Sequence, residues 1–320
     1  MPKVSIIIPT YNSSRFLKRT IGSVLAQTFR DWELLIIDDC SKDSTRLIVE
    51  EYSKFDKRIK FFKTETNSGG PATPKNIGVE NARGEFIAFL DHDDEWFPEK
   101  LEKQLNVFKN SKDDNLGLVS CGANLINKKN KRFSIYNPKK LKVGFPEILL
   151  RNPIYSNSSV LIRKSVIDVV GERDDKMKYS EDWDMWIRIC KNNFKIEIMN
   201  DILFNYHFHD SNVTKAQKDS LLKVRDAEYV FNKHQDLYEK YNYVHVGWFR
   251  LGVMYFMGGD KTKSRECFKK SLEIKSSFVP AKVGYKLSFL GNFGIQMINT
   301  FIFLYRLAHG RTYLIKTDSM

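Results

Sequence analysis

Three extended apolar runs constrain this chain more than any other feature. Val4 to Ile8, Trp32 to Ile37 and Phe86 to Leu90 are each about one strand long. Each stops abruptly at polar residues: Pro9-Thr10-Tyr11-Asn12, Asp38-Asp39 and Asp91-His92-Asp93-Asp94. Runs this apolar suit strands covered on both faces. Between them the period changes. Leu17, Ile21, Val24 and Leu25 recur at helical spacing behind the capping candidates Asn12 to Ser14, and Leu47, Ile48 and Tyr52 do so again. Ile59 to Phe62 adds a strand, a Gly69-Gly70-Pro71 loop introduces a helix near 72–82, and Pro98 opens a helix with Leu101, Leu105 and Phe108 on one face. The alternation predicts an α/β fold, a mixed and mostly parallel sheet between helices. Such sheets bind ligands beyond the carboxyl ends of their strands, so the three polar endings are expected to meet at one rim.

The third ending is the most demanding of the three. Asp91 to Glu95 places four acids in five positions directly after a buried strand. Ionised carboxylates there repel one another and resist desolvation unless a cation answers them. Hard divalent ions take oxygen ligands, and Mg²⁺ is usually held by one or two carboxylates together with substrate phosphates. With regular pleating, Asp91 and Asp93 point to one face and reach the same ion or nucleotide. Asp94 and Glu95 also suit capping of the helix that Pro98 opens.

Beyond Asn110 the pattern loosens. Leu116 to Ser120, Ser159 to Ile162 and Ile196 to Phe208 read as extended chain, and Lys128 to Lys142 as a solvated, mobile basic loop. Ser180 to Lys191 reads as a helix with Trp183, Trp186, Ile187 and Cys190 on one face. Its leading Glu181 and Asp182 suit a helix N-terminus, which favours carboxylates. The tryptophans are open to two readings, sugar stacking or core packing. His207 and His209 alternate along the last strand and are expected to face one side. Cys40, Cys121, Cys190 and Cys267 are scattered without a close pair, which predicts reduced thiols and a cytoplasmic setting. The apolar run at the N-terminus is too short for a signal peptide.

Five segments, taken in order, resemble the family 2 glycosyltransferases, whose fold is called GT-A. They are VSIIIPTYN from Val4, LLIIDDCSKDST from Leu34, KNIGVENARGEFIAFLDHDD from Lys75, SEDWDMWIR from Ser180 and YHFHDSN from Tyr206. The resemblance implies a catalytic domain over 1–215 that moves a sugar from a nucleotide-diphospho-sugar, with inversion. It places Pro9 and Tyr11 beside the base and ribose, has Asp39 accept a hydrogen bond from the base (typically uracil), and lets Asp38 support the turn. Lys75 would contact the diphosphate and Asp91 would lie near the ribose. Asp93 would ligate Mn²⁺ or Mg²⁺, with Asp91 and His209 as further ligands. The ion would neutralise the departing diphosphate. Asp182 would act as general base on the acceptor hydroxyl, and Glu181 would orient the acceptor or the loop. His207 receives no role. Lys75 stands where many relatives carry arginine; it keeps the charge and loses the bidentate fork.

The remaining 216–320 read as a small all-α region. Trp248, Leu251, Gly252 and Tyr255, followed by Ser264 and Phe268, fit one tetratricopeptide-like helical hairpin. One hairpin cannot bury its own faces, so it is expected to lean on the catalytic domain or on a second subunit. Leu287 to Leu307 is amphipathic, with Phe293, Met297, Ile298, Phe301, Ile302 and Tyr305 on one side. Gln296, Asn299 and Thr300 interrupt it, so it reads as an interfacial helix or a packed one, not a span. The formal net charge of +13 is uneven, with 17 Lys and Arg against 9 Asp and Glu after residue 215. That favours an anionic partner, and Lys282, Lys286, Arg306 and Arg311 suit lipid headgroups at the cytoplasmic face of a membrane.

Two functions follow. The first is a metal-dependent glycosyltransferase acting on a glycan or lipid-linked acceptor in cell-surface polysaccharide synthesis. The second is a non-catalytic scaffold that keeps the sugar-nucleotide fold and uses the helical module. Asp39, Asp91, Asp93 and Asp182 argue for the enzyme, because a scaffold has no need of them. No interleaved basic–aromatic motif supports nucleic-acid binding, and no phosphate loop or zinc spacing is present.

Overall fold

The computed structural model describes residues 1–138, 141–209, 220–290 and 297. Its elements are β1 (Val4–Thr10), α1 (Leu17–Leu25), β2 (Trp32–Asp38), α2 (Thr45–Phe55), β3 (Ile59–Lys63), α3 (Ala72–Glu80), β4 (Phe86–Phe89), β5 (Glu95–Trp96) and α4 (Lys100–Asn110). There follow β6 (Leu116–Ile126), β7 (Arg132–Tyr136), β8 (Leu141–Val143), β9 (Leu161–Arg163), α5 (Lys164–Val170), α6 (Glu181–Lys191) and β10 (Lys195–His207). The described helices after them are α7 (Ser220–Lys233), α8 (Gln235–Lys240), α9 (Val244–Met257), α10 (Lys261–Ile274) and α11 (Val279–Leu287).

The strands form one sheet in the order β3-β2-β1-β4-β9-β6-β10-β5, with β7 beside β6 and β8 beside β10. β3, β2, β1, β4, β6 and β10 run one way; β9 is inserted antiparallel between β4 and β6. The sheet is thus mixed and mostly parallel, as the alternating periods predict. Every residue of β1, β2 and β4 is buried, which is why those segments are almost uniformly apolar. α3 lies unusually close to β1. A Cβ added to Gly78 would sit 2.5 Å from Ile7 Cγ2, so only glycine lets the helix approach this far. That approach carries Lys75, one turn earlier on the same helix, into the interior.

Several expectations are corrected. Lys128 to Lys142 is not simply a basic loop: β7 pairs antiparallel with β6, β8 pairs with β10, and Ser134, Tyr136 and Val143 are buried. Alternating inward residues disguise these short edge strands among lysines. Asn12 to Ser14 do not cap α1 with their side chains; the Ser13 carbonyl accepts from Phe16 and Leu17 instead. Trp183 and Trp186 are core residues, buried on α6, and cannot stack on a sugar.

The chain forms two compact units. The first holds the sheet, Met1–Ile148 and 152–209; the second holds Leu149–Arg151 and the described helices from α7 on. The boundary expected at 215/216 falls outside the described residues, as does nearly all of the amphipathic 287–307. In the second unit Phe268 of α10 is buried between two glycines. Added Cβ atoms would lie 2.7 Å from its ring at Gly252 and 2.8 Å at Gly284. Ser264 Oγ donates to the Gly252 carbonyl at 2.8 Å, closing α9 onto α10. No described helix is long and apolar enough to cross a membrane. All four cysteines are unpaired, three of them buried.

Candidate active site

β1 and β2 run side by side, with Thr10 paired to Asp38, and β4 flanks β1 on the other edge, with Phe89 paired to Ile7. Their polar endings therefore share one rim. The first two endings are laced together. Asn12 N donates to Ser41 Oγ and Lys42 N to Asn12 Oδ1, both at 2.8 Å. Ser13 N donates to Thr45 Oγ1 at 2.8 Å and Ser14 N to Asp43 Oδ2 at 3.0 Å. Asn12 and Cys40 take φ values of 49° and 62°, and these left-handed corners turn the two loops toward each other.

Along this rim, Pro9 is buried within β1, while Tyr11 stands 45% exposed beyond it. Asp38 supports the turn directly, accepting from Ser41 N at 3.1 Å, from Ser41 Oγ and from Thr10 Oγ1 at 3.3 Å. Asp39 departs from expectation. It is 4% exposed, and its oxygens accept from Thr64 Oγ1, Asn67 Nδ2, Ser68 N and Ser68 Oγ at 2.9 to 3.1 Å. A carboxylate offers about four acceptor sites, so this one is already saturated by the chain. A buried carboxylate demands as much.

The third ending is a turn, not pleated strand. Asp94 N donates to the Asp91 carbonyl, and α1 grips the turn from outside. Thr20 Oγ1 donates to the His92 and Asp94 carbonyls at 2.7 and 2.8 Å, and Arg19 Nη2 to the Asp93 carbonyl at 2.6 Å. Asp91 and Asp93 consequently part company, contrary to the shared face that pleating predicts. Asp93 Oδ2 lies 2.7 Å from His209 Nε2, and that imidazole stacks on Phe16 with centroids 4.4 Å apart. Burial acts upward on the Asp93 carboxyl, but the imidazoles of His92 and His209 win and hold it below its ordinary range. Asp91 turns the other way, toward Lys75, whose Nζ is 4.0 Å off, and burial raises its carboxyl. Asp94 and Glu95 do not cap α4. Asp94 is fully buried, accepting from Ser158 Oγ at 2.6 Å and His207 N at 3.2 Å; burial and the charges of Asp93 and Asp91 push it well up. Glu95 accepts from Asn205 Nδ2 at 2.9 Å, and His207 Nε2 stands 3.6 Å from it, so the two histidines serve different carboxylates.

The second cluster forms where α6 begins. Lys75 is 1% exposed and its Nζ donates to Glu181 Oε1 at 3.1 Å, so its charge is engaged by a carboxylate and not held out to a diphosphate. Arg173 Nη1 approaches the same oxygen at 3.7 Å. Burial acts upward on Glu181, but these two cations outweigh it and keep the group ionised. Glu181 is itself only 3% exposed, which leaves no face with which to orient an acceptor. Asp182, next in the chain, is half-buried. It accepts from Trp183 N at 2.6 Å and from Asn152 Nδ2 at 3.2 Å. Burial, then the charge of Glu181, push its carboxyl up to about 6. That value suits a base working near neutrality.

Three participants escaped sequence reasoning. Arg173 and Asn152 lie in irregular chain and Ser158 in a single 3₁₀ turn, Asn157–Ser159, where no periodicity marks a residue as inward-facing. Asn76 was visible in the Lys75-Asn76 pair, but its task was not. It brackets the main chain of Arg173, donating to that carbonyl at 2.9 Å and accepting from that N–H at 3.0 Å.

Among the described residues no three His, Cys, Asp or Glu side chains gather closely enough to enclose an ion. Of the three residues that the resemblance casts as ligands, Asp93 and His209 stay together, hydrogen-bonded to each other, a donor set that would suit a cation completing its shell with substrate phosphate oxygens, while Asp91 turns away. One carboxylate and one imidazole converge within 2.7 Å at the rim.

Comparison with known proteins identifies the family and the fold. The sequence model described as "Glycosyl transferase family 2" matches residues 5–171. The putative teichuronic acid biosynthesis glycosyltransferase TuaG of Bacillus subtilis is 31% identical, over 71% of this chain and 89% of its own. The Escherichia coli protein WfgD, named as a UDP-Glc:alpha-D-GlcNAc-diphosphoundecaprenol beta-1,3-glucosyltransferase, is 31% identical over 76% of this chain and 93% of its own. In three dimensions the chain resembles S. aureus TarS 1–349 in complex with UDP-GlcNAc, with a TM-score of 0.64 at 19% identity, covering 99% of this chain and 97% of that one. It spans 54% of the longer TarS chain. The fold is thus of the GT-A type.

Proposed function

This chain belongs to glycosyl transferase family 2, and from that premise we propose that it transfers a sugar, with inversion, from a UDP-sugar to a hydroxyl of a glycan or lipid-linked acceptor in cell-surface polysaccharide synthesis. WfgD is named for a UDP-sugar donor and a diphosphoundecaprenol acceptor, and TuaG for teichuronic acid, which supports the substrate classes. The observation that carries the chemistry is Asp182. It is a carboxylate raised to about 6, placed one residue from Glu181, whose carboxyl Lys75 and Arg173 lower, at the N-terminus of a helix whose core face holds it still.

The steps follow from these positions. Tyr11 lies against the base, with Pro9 beneath it in β1. The base meets Asp39 by exchanging with the Ser68 hydroxyl, since the carboxylate has no vacant acceptor site. Asp91 takes the ribose side of the turn. Asp93 and His209 would hold Mn²⁺ or Mg²⁺, which would neutralise the charge of the diphosphate. Asp182 removes the proton from the acceptor hydroxyl. That oxygen forms a bond to the anomeric carbon as the bond from this carbon to the diphosphate breaks, and the electron pair leaves with the diphosphate. Attack opposite the leaving group inverts the centre. A lipid-linked acceptor also gives the amphipathic sequence 287–307, with Lys282, Lys286, Arg306 and Arg311 in and beside it, a task at an anionic membrane surface.

Thermal unfolding with UDP, alone and with Mn²⁺, tests the donor reading, and turnover of UDP-glucose and UDP-N-acetylglucosamine tests the chemistry. UDP is expected to raise the midpoint only when Mn²⁺ is present. Asp182→Asn is expected to keep that rise and lose transfer. Wild-type turnover in Asp182→Asn would remove the base, and an unchanged midpoint with UDP and Mn²⁺ would remove the donor.

A further inference from the structure

Arg173 has no place in the steps above, and its surroundings call for one. It sits in irregular chain before α6, 4% exposed. Only Nη2 makes a good hydrogen bond, to Asn157 Oδ1 at 3.0 Å. Nε and Nη1 are buried without a hydrogen-bond partner among the described residues. A guanidinium carries five N–H donors, and burying it with two nitrogens idle is unfavourable unless a nearby charge compensates. Glu181 supplies that charge at 3.7 Å, and the rings of Phe89 and Trp186 lie 4.5 and 5.4 Å from the guanidinium carbon. Asn76 meanwhile fixes the Arg173 main chain from both sides. The backbone is held by hydrogen bonds and the cation by a field, an arrangement suited to electrostatics more than to recognition.

We propose that Arg173 is a positioning residue for the transfer reaction: with Lys75 it holds Glu181 ionised beside Asp182, and the balance of those two cations against that one anion sets the basicity of Asp182. The proposal rests on reading Asp182 as the base. The groups that bear on Asp182 are few. Glu181 precedes it on α6, Lys75 comes from α3, Arg173 from the chain before α6, and Asp91 joins through Lys75 at 4.0 Å. Its hydrogen-bonding neighbours, Asn152 and Trp183 N, are neutral. Burial and Glu181 push the Asp182 carboxyl up, while Arg173 and then Lys75 pull it down. Removing a cation must therefore raise it further, and removing the Glu181 charge must lower it.

Opposite signs make the test sharp. The pH dependence of kcat/KM is measured with UDP-glucose or UDP-N-acetylglucosamine and Mn²⁺ on the whole chain. The wild type is expected to show an acid limb near the raised value of Asp182. Arg173→Met should move that limb to higher pH by about one unit, the low end of the shift that a nearby opposite charge produces. Glu181→Gln should move it to lower pH by a similar amount, and Arg173→Lys should restore it. A residue that only props up the fold would lower the plateau and leave the limb where it was. The inference is overturned if the limb stays put in an Arg173→Met chain that binds UDP like the wild type, or if both variants move it the same way. Should Arg173→Met not fold, an unmoved limb in Glu181→Gln overturns it alone. Wild-type turnover in Asp182→Asn would remove the base assignment as well, whereas a limb that is present but fixed removes only this inference.

Discussion

The two units of this chain bury polar groups in different ways. In the first, ionisable side chains accumulate at the strand ends: Lys75, Arg173, Glu181, Asp39 and Asp94 all lie out of solvent around one rim. In the second, Asp226, His234 and His245 are also buried, but α9 and α10 meet through hydroxyls and glycines, with Ser264 and Ser271 donating to carbonyls of the neighbouring helix and Gly252 and Gly284 closing on Phe268. Buried charge is unfavourable unless partners answer it, and here it surrounds the proposed base; small residues against a ring serve packing. The first arrangement should therefore yield variants that lose rate while keeping the fold, and the second variants that lose stability while keeping donor binding.

The largest expected effect breaks chemistry only. Asp182→Asn should lower turnover by about 10²- to 10⁴-fold, the usual worth of a general base, with its UDP–Mn²⁺ midpoint shift intact; a parallel loss of both would place the residue in binding instead. Next, Asp93→Asn or His209→Ala should abolish the part of UDP stabilisation that requires Mn²⁺ while the midpoint of the unliganded chain changes little. Calorimetry with and without the ion separates these. Gly252→Ala reaches the second unit: forcing a methyl to 2.7 Å from Phe268 should destabilise it by about 1–3 kcal/mol, visible in denaturant unfolding, with UDP affinity unchanged. The smallest effect sharpens the contrast at the rim. Burial acts upward on Asp43, but hydrogen bonds from Thr45 and Ser14 prevail and bring it down to about 2 from 3.8. A depressed carboxyl stabilises the fold above its unfolded value and loses that contribution as pH falls through the folded one. The stability gap between wild type and Asp43→Asn should thus be full near neutrality and close between about pH 4 and pH 2.

Much of the first unit was legible because its signals are local. β1, β2 and β4 declare themselves by apolar runs, and the acids after them declare a rim. What was not legible depends on distance in the chain. Nothing in the sequence says that Lys75 meets Glu181, 106 positions away, or that Ser68 closes Asp39. Asp91 and Asp93 were misjudged for a related reason: the strand period was carried two residues too far, into a turn that Thr20 and Arg19 hold from α1. β7 and β8 were missed because lysines dominate the segment they occupy. The role of α3 is a case in between. Only the packing of Ile7 against Gly78 explains how a lysine expected at the diphosphate ends up inside.

The laced loops after β1 and β2 carry a consequence for how such a protein can diversify. Each loop supplies the other's missing hydrogen-bond partners, through Asn12, Ser13 and Ser14 on one side and Ser41, Lys42, Asp43 and Thr45 on the other. An insertion or deletion in either one orphans groups in both, so their lengths are inherited as a matched set. Variety in what the protein accepts must then come from exchanging single side chains on that frame, or from segments the frame does not bind.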